Sequence, residues 1–143
     1  MRHEVTGADT AVSLGSGDVP VLATPRLIAW LEAATVRAAA PFTGPGRTTV
    51  GTEIRVRHLR ATPVGGRVEV TAEAPAAEGR RLTFRVSAVD GAGELVADGE
   101  IDRVLVDRER FLASAPAAPA ARPEGTDYSG DSKDSGNSKD SEG

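Results

Sequence analysis

The hydrophobic pattern of this chain changes period once, near residue 47, and that change limits the folds it can adopt. Residues 25–40 carry apolar side chains at helical spacing, with Leu27 and Leu31 on one face. Beyond residue 47, apolar and polar residues alternate through four segments separated by glycine-containing turns. One helix followed by four half-apolar strands predicts an α+β fold, with an antiparallel sheet wrapped on one long helix.

The ends of the helix are marked by threonine and proline. Thr24 and Pro25 predict the start, since a hydroxyl residue favours the N-cap and proline the first helical position. Pro41 predicts the end. On the helical wheel, Glu32 falls about 40° beyond Ile28, at the edge of the apolar face. Its position alone favours an exposed carboxylate on a partly buried helix.

The first strand carries a histidine in its apolar phase. Even positions from Val50 and Thr52 through Ile54 and Val56 to His58 share one face, which predicts that the His58 ring points toward the helix. In the last segment the apolar phase changes after residue 101, which predicts a bulge near residue 99 or 102. A short strand around residues 4–13 is predicted to precede the helix.

Three polar side chains are predicted to approach one helix–sheet seam. A lone inward histidine is more often structural than catalytic, but only one helix is available to cover this sheet. Glu32 is the only charged residue beside the buried stripe of that helix. With Thr24 at the helix start, Glu32 and His58 form a candidate acid/base constellation.

Composition excludes several classes of function. The chain has no cysteine, which removes disulfides and thiolate sites and favours a reducing, cytoplasmic setting. Two histidines predict no histidine-rich metal centre, and a net charge of −4 gives no basic footprint for nucleic acid. No apolar run approaches the ~20 residues needed to span a membrane, and the first ten residues lack the apolar core of a secretory signal.

The C-terminal part of the chain has the composition of a tail. Residues 114–123 read SAPAAPAARP, a stiff extended spacer, and residues 129–143 contain no hydrophobic side chain. We therefore predict a folded domain over residues 1–112 and a disordered tail over residues 113–143.

Three segments together resemble the hotdog-fold thioesterase family typified by fluoroacetyl-CoA thioesterase. They read TPRLIAWLEAATVRAAAPF, VGTEIRVRHLRATPVG and EGRRLTFRVSAVDG, and the resemblance covers roughly residues 20–111. It implies a hotdog fold and a homodimer. It also implies hydrolysis of acyl-coenzyme A thioesters without metal or organic cofactor, while an acyl carrier protein thioester stays open as an alternative substrate.

The resemblance also implies roles for individual residues. Thr24, Glu32 and His58 match the catalytic positions of the family, Gly51 matches a glycine whose backbone shapes the substrate pocket, and Arg103 matches a substrate-binding arginine. Several other arginines are candidates for contact with coenzyme A phosphates, although outward arginines usually form a solvated face. These are Arg55, Arg57, Arg60, Arg80 and Arg81.

One stretch departs from the family pattern. The fluoroacetyl-specific member carries phenylalanines just upstream of its catalytic threonine, as a lid over the small acyl group. Here residues 14–23 read LGSGDVPVLA, without any aromatic residue. The resemblance therefore implies thioester hydrolysis without implying a preference for fluoroacetyl.

Two other functions remain open at this point. A hotdog hydratase or dehydratase also handles acyl thioesters with a histidine and an acidic residue. A non-catalytic acyl-thioester binder would use the same pocket without turnover. Dimerisation is expected in all three cases, because one helix and a sheet with an open edge do not close a core.

Overall fold

A computed structural model of the chain describes residues 1–119, in which one antiparallel sheet packs on one long helix. The elements are β1 (Arg2–Glu4), a 3-10 turn (Gly7–Asp9), α1 (Ala11–Leu14), α2 (Thr24–Thr43), β2 (Arg47–His58), β3 (Arg67–Ala72), β4 (Ala76–Glu78), β5 (Arg81–Asp90), β6 (Leu95–Asp107) and α3 (Arg108–Ser114). The strand order is β1-β3-β5-β6-β2, with β4 paired to β5. The predicted α+β architecture is confirmed.

The core lies between α2 and the concave face of the sheet. Leu27 and Leu31 of the helix are fully buried, as the helical spacing predicts. They pack in one cluster with Phe84, Val70 and Ile101 from three different strands. Burying a side chain of this size contributes about 1.5–3 kcal/mol, so this cluster fixes the helix on the sheet.

Both predicted ends of α2 need correction. Ala23 is the N-cap and Thr24 is already helical, so the Thr24 hydroxyl does not cap the helix. Pro41 lies inside the helix, which continues to Thr43 and ends at Gly44 in a positive-φ conformation. A proline this near the C-terminus removes a single backbone donor, and the last turn persists without it.

A β-bulge lies in β2, at Thr52. Gly51 pairs with Arg103 and Glu53 pairs with Asp102, so Thr52 is the extra residue. The predicted bulge near residue 99 or 102 of β6 is therefore wrong, since the extra residue is on the strand opposite. An extra residue reverses which positions of a strand face the core.

The bulge changes the inward residues of β2. Before it, Thr49 is buried and Gly51 faces α2. After it, Val56 packs against the core and His58 contacts α2. The prediction that Val50 and Thr52 share the inward face with His58 is therefore wrong.

The N-terminal region differs from the predicted strand over residues 4–13. Only Arg2–Glu4 form a strand, paired with β3, and Thr10 then caps α1 by accepting a hydrogen bond from the Ser13 backbone N–H. Residues 12–20 are exposed throughout. The segment is tied down at its end by main-chain bonds, from Ala11 N–H to the Val21 carbonyl and from Leu22 N–H to the Thr62 carbonyl.

At the other end of the domain, α3 was not predicted. Asp107 caps it by accepting a hydrogen bond from the Arg110 backbone N–H. Residues 120–143 of the predicted tail lie outside the described residues. No helix within residues 1–119 has the length and hydropathy that a membrane crossing requires.

At Gly99, β6 lies close to the backbone of β2. A Cβ atom at this position would overlap the carbonyl oxygen of Arg55 and lie 2.7 Å from the Cα of Val56. We expect Gly99→Ala to lower the free energy of unfolding by about 1–3 kcal/mol, because the two backbones must separate. Urea denaturation measures this loss. Gly91→Ala is the matched control, since a Cβ there meets nothing within 4 Å, and equal losses in both variants would contradict the prediction.

Candidate active site

The end of β2 meets the start of α2 through a threonine–histidine pair. The Thr24 hydroxyl oxygen lies 2.8 Å from Nδ1 of His58, and the His58 tautomer decides which of the two groups donates. Thr24 is free for this bond because Ala23 occupies the cap position. The structure therefore brings together two of the three predicted catalytic residues.

His58 is held in an environment that favours its neutral form. Its Nε2 atom is buried and has no hydrogen-bond partner within residues 1–119. Burial lowers the pKa of His58 below 6.5, and the backbone of Arg60 opposes this shift in part. At neutral pH the ring is therefore mostly unprotonated and able to accept a proton.

A cavity of about 320 Å³ opens beside this pair. One wall is the aromatic-free segment upstream of α2, and another is the chain that follows His58. Its lining includes Thr24, His58, Gly17, Val19, Val21 and Leu59. The aliphatic wall and the polar pair make it suitable for an apolar group attached to a reactive carbonyl.

Glu32 lies in a second cluster, with Gly51 and Arg103. The Glu32 side chain is 37% exposed, and its Oε2 atom is 4.0 Å from Nη1 of Arg103. A Cβ atom on Gly51 would lie 2.9 Å from the same oxygen. Glycine at position 51 therefore leaves the space that the Glu32 carboxylate occupies.

Arg103 is buried and fixed by a single residue. Its Nε donates to the Thr49 hydroxyl at 2.8 Å, and Nη2 donates to the Thr49 carbonyl at 3.0 Å. Burial lowers the pKa of Arg103, and the charge of Glu32 opposes the shift. Sequence reasoning missed Thr49, because uninterrupted alternation from His58 placed it on the outer face.

The two clusters are separate within one chain. Thr24 and Glu32 are eight residues apart, about 12 Å along the helix axis. Gly51 and His58 lie about 20 Å apart along β2. Because the Glu32 carboxylate lies beside Gly51, it does not contact His58 of the same chain. The predicted meeting of Glu32 and His58 at one point of the seam is therefore not found in a single chain.

Most of the candidate phosphate-binding arginines have acidic partners. Arg55, Arg57 and Arg81 each make an ion pair of 3.0 Å or shorter with a carboxylate. Arg60 is different, since it lines the cavity beside His58 and pairs with Asp90 at 3.5 Å. Within residues 1–119, no three acidic or histidine side chains are grouped as metal ligands.

Solved structures define the class to which this chain belongs. The fluoroacetyl-CoA-specific thioesterase FlK, solved as a phenylalanine-to-alanine mutant with fluoroacetate and CoA, matches with a TM-score of 0.72 and 38% identity, over 79% of this chain and 92% of that one. A Thermus thermophilus hypothetical protein described as a thioesterase superfamily member matches with a TM-score of 0.74 and 30% identity, over 79% and 83%. The fold is that of a hotdog-fold thioesterase.

The family follows from the sequence match. Residues 5–109 match the family described as fluoroacetyl-CoA-specific thioesterase, and the chain belongs to that family. The fluoroacetyl-CoA thioesterase of Streptantibioticus cattleyicolor is 46% identical over 93 residues. That match covers 65% of this chain and 66% of the relative, about two thirds of its length.

The lowered pKa of His58 links its burial to stability. The unfolded chain takes up a proton on His58 at a higher pH than the folded chain does, so we expect the free energy of unfolding to fall as the pH drops below about 6.5. Urea denaturation at a series of pH values measures this slope, which should be shallower in His58→Gln. His3, whose pKa burial also lowers, retains its share in both proteins. An NMR titration that gives His58 a pKa at or above 6.5 would contradict the prediction.

Proposed function

We propose that the protein hydrolyses acyl-coenzyme A thioesters to the free acid and coenzyme A. The observation that carries this proposal is the 2.8 Å contact between Thr24 and His58 at the wall of the cavity. Membership of the thioesterase family supports the same reaction. A chain without cysteine fits a reducing compartment, and we place the enzyme in the cytoplasm.

Hydrolysis needs an attacking oxygen, a group that takes its proton and donors for the developing oxyanion. The Glu32 carboxylate either removes a proton from the water that attacks the carbonyl carbon, or attacks that carbon itself to form an anhydride, which water then hydrolyses to the free acid and the carboxylate. The neutral His58 ring accepts a proton from the attacking water. As the C–S bond breaks, the sulfur takes a proton and coenzyme A leaves. Backbone N–H groups of the first turn of α2 lie next to Thr24 and favour negative charge on the carbonyl oxygen.

A homodimer brings Glu32 and His58 to one site. β2 is an edge of the sheet in the described chain, and Ile54 near its middle is 39% exposed. An unpaired edge strand is a template for a second copy. Antiparallel pairing of two β2 strands about a two-fold axis between Ile54 and Arg55 sets Gly51 opposite His58 of the second copy. Glu32 beside Gly51 then faces the Thr24–His58 pair of the other protomer.

Mixed dimers test this arrangement. We expect Glu32→Gln and His58→Ala each to lower kcat at least ~10²-fold, since each removes a group that handles protons. If each site uses Glu32 of one protomer and His58 of the other, a dimer of the two variants contains one intact site. Random mixing then restores about a quarter of the wild-type sites. Thiol release from an acyl-CoA measures the recovery.

The controls are each variant mixed with itself after the same exchange step. Recovery only to the level of these controls would mean that each site lies within one chain. Absence of thiol release by the wild-type protein, with every acyl-CoA tried, would overturn the proposed function itself.

Acyl selectivity follows from the cavity wall. Val19 and Val21 line the cavity, and the segment that carries them, residues 14–23, has no aromatic residue to cover it. The cavity is therefore open to acyl groups larger than two carbons. We expect little preference for fluoroacetyl over acetyl, with higher kcat/KM for a longer or branched acyl group. One methylene in an apolar pocket is worth only ~1–3 kcal/mol, so this preference should be graded.

A panel of acyl-CoA esters measures this selectivity. Val19→Phe should move the preference toward short chains, because it narrows the wall. Val12→Phe, at an exposed position of α1 outside the cavity lining, is the matched control. A preference of the wild type for fluoroacetyl over acetyl above ~10⁴-fold would show that selectivity does not require an aromatic lid.

A further inference from the structure

Thr49 holds Arg103 by two of its three guanidinium nitrogens. Both bonds are short, and both residues are at most 9% exposed. A fork of this kind fixes the plane of a guanidinium group, because both the side-chain hydroxyl and the backbone carbonyl of one residue are engaged. The position of Arg103 is therefore set by Thr49.

The remaining nitrogen of Arg103 points to the proposed active site. Nη1 lies 4.0 Å from Oε2 of Glu32, and 3.5 Å from the place that a Cβ on Gly51 would occupy. With Nε and Nη2 bound to Thr49, Nη1 is the nitrogen of this buried group that faces Glu32. The geometry makes Arg103 a cation beside the carboxylate, in addition to any contact it has with substrate.

We propose that Thr49 is a positioning residue of the active site, which fixes Arg103 so that its Nη1 orients the Glu32 carboxylate. This inference rests on the proposed thioesterase function. Within residues 1–119 the Thr49 hydroxyl hydrogen-bonds to Arg103 alone, so we expect its effect on the catalytic step to pass through Arg103. A displacement of about 1 Å at a reacting group is enough to slow a reaction ~10²-fold.

Three variants isolate the hydroxyl of Thr49. Thr49→Val keeps the shape of the side chain and removes the hydroxyl, while Thr49→Ser keeps the hydroxyl. Thr48→Val is the matched control, since Thr48 is the adjacent residue of β2, on the opposite face, and its hydroxyl makes no hydrogen bond within residues 1–119. We expect Thr49→Val to lower kcat about 10- to 100-fold with KM nearly unchanged, and Thr49→Ser and Thr48→Val to retain kcat within about 3-fold.

A double-mutant cycle tests whether the effect passes through Glu32. In the Glu32→Gln background, where no carboxylate remains to be oriented, Thr49→Val should lower the residual kcat less than 3-fold. Measurements well below the melting temperature of every variant separate this coupling from unfolding. We expect the melting temperature of the single variant Thr49→Val to fall by roughly 4 °C or more, because the buried Nε of Arg103 loses the Thr49 hydroxyl as its acceptor.

Three results would overturn the inference. One is a rise in KM at constant kcat, which would make Arg103 a substrate-binding group that does not act on Glu32. Another is an equal loss of kcat in both backgrounds, and the third is wild-type kcat in Thr49→Val. In each of these the wild type still hydrolyses acyl-CoA, so the failure is distinct from failure of the proposed function.

Discussion

One extra residue in β2 sets the geometry on which the site depends. Without the bulge at Thr52, a strand that turns Val56 and His58 toward α2 would turn Thr49 and Gly51 away from it. Gly51 could then not leave room for the Glu32 carboxylate, and Thr49 could not hold Arg103. A single insertion thus lets both halves of one strand serve the same face of the helix.

The same geometry explains why one chain carries the candidate residues in two separate clusters. α2 presents Thr24 at its start and Glu32 two turns later, while β2 presents Gly51 before its midpoint and His58 at its end. Each cluster is held together by its own contacts. A 2.8 Å contact joins Thr24 to His58 in one, and in the other the buried Arg103 is hydrogen-bonded to Thr49. In the homodimer that we propose, the free edge of β2 pairs with a second copy of the chain and brings the two clusters together.

The architecture is predictable from the sequence, because the period of the hydrophobic pattern is a property of whole segments. Helical spacing over residues 25–40 and alternation after residue 47 predict α2 and the main strands, and Leu27 and Leu31 are buried as expected. The bulge escapes this reasoning, because threonine and valine suit either face of a strand and leave the phase of residues 48–52 undetermined. Thr49 could not be identified without that phase. The strand predicted over residues 4–13 is replaced in part by α1, because the Thr10 side chain caps that helix locally. Such a local hydrogen bond leaves no periodic pattern in the sequence.

The exposed segment at residues 12–20 has a consequence for how such enzymes diversify. Its side chains contribute nothing to the buried core, and it is anchored by main-chain bonds around Val21 and Leu22. Substitutions there change the wall of the cavity at little cost in stability, because the backbone bonds do not depend on side-chain identity. In the function that we propose, the range of acyl groups is thus free to change during evolution while Thr24, Glu32 and His58 stay as they are.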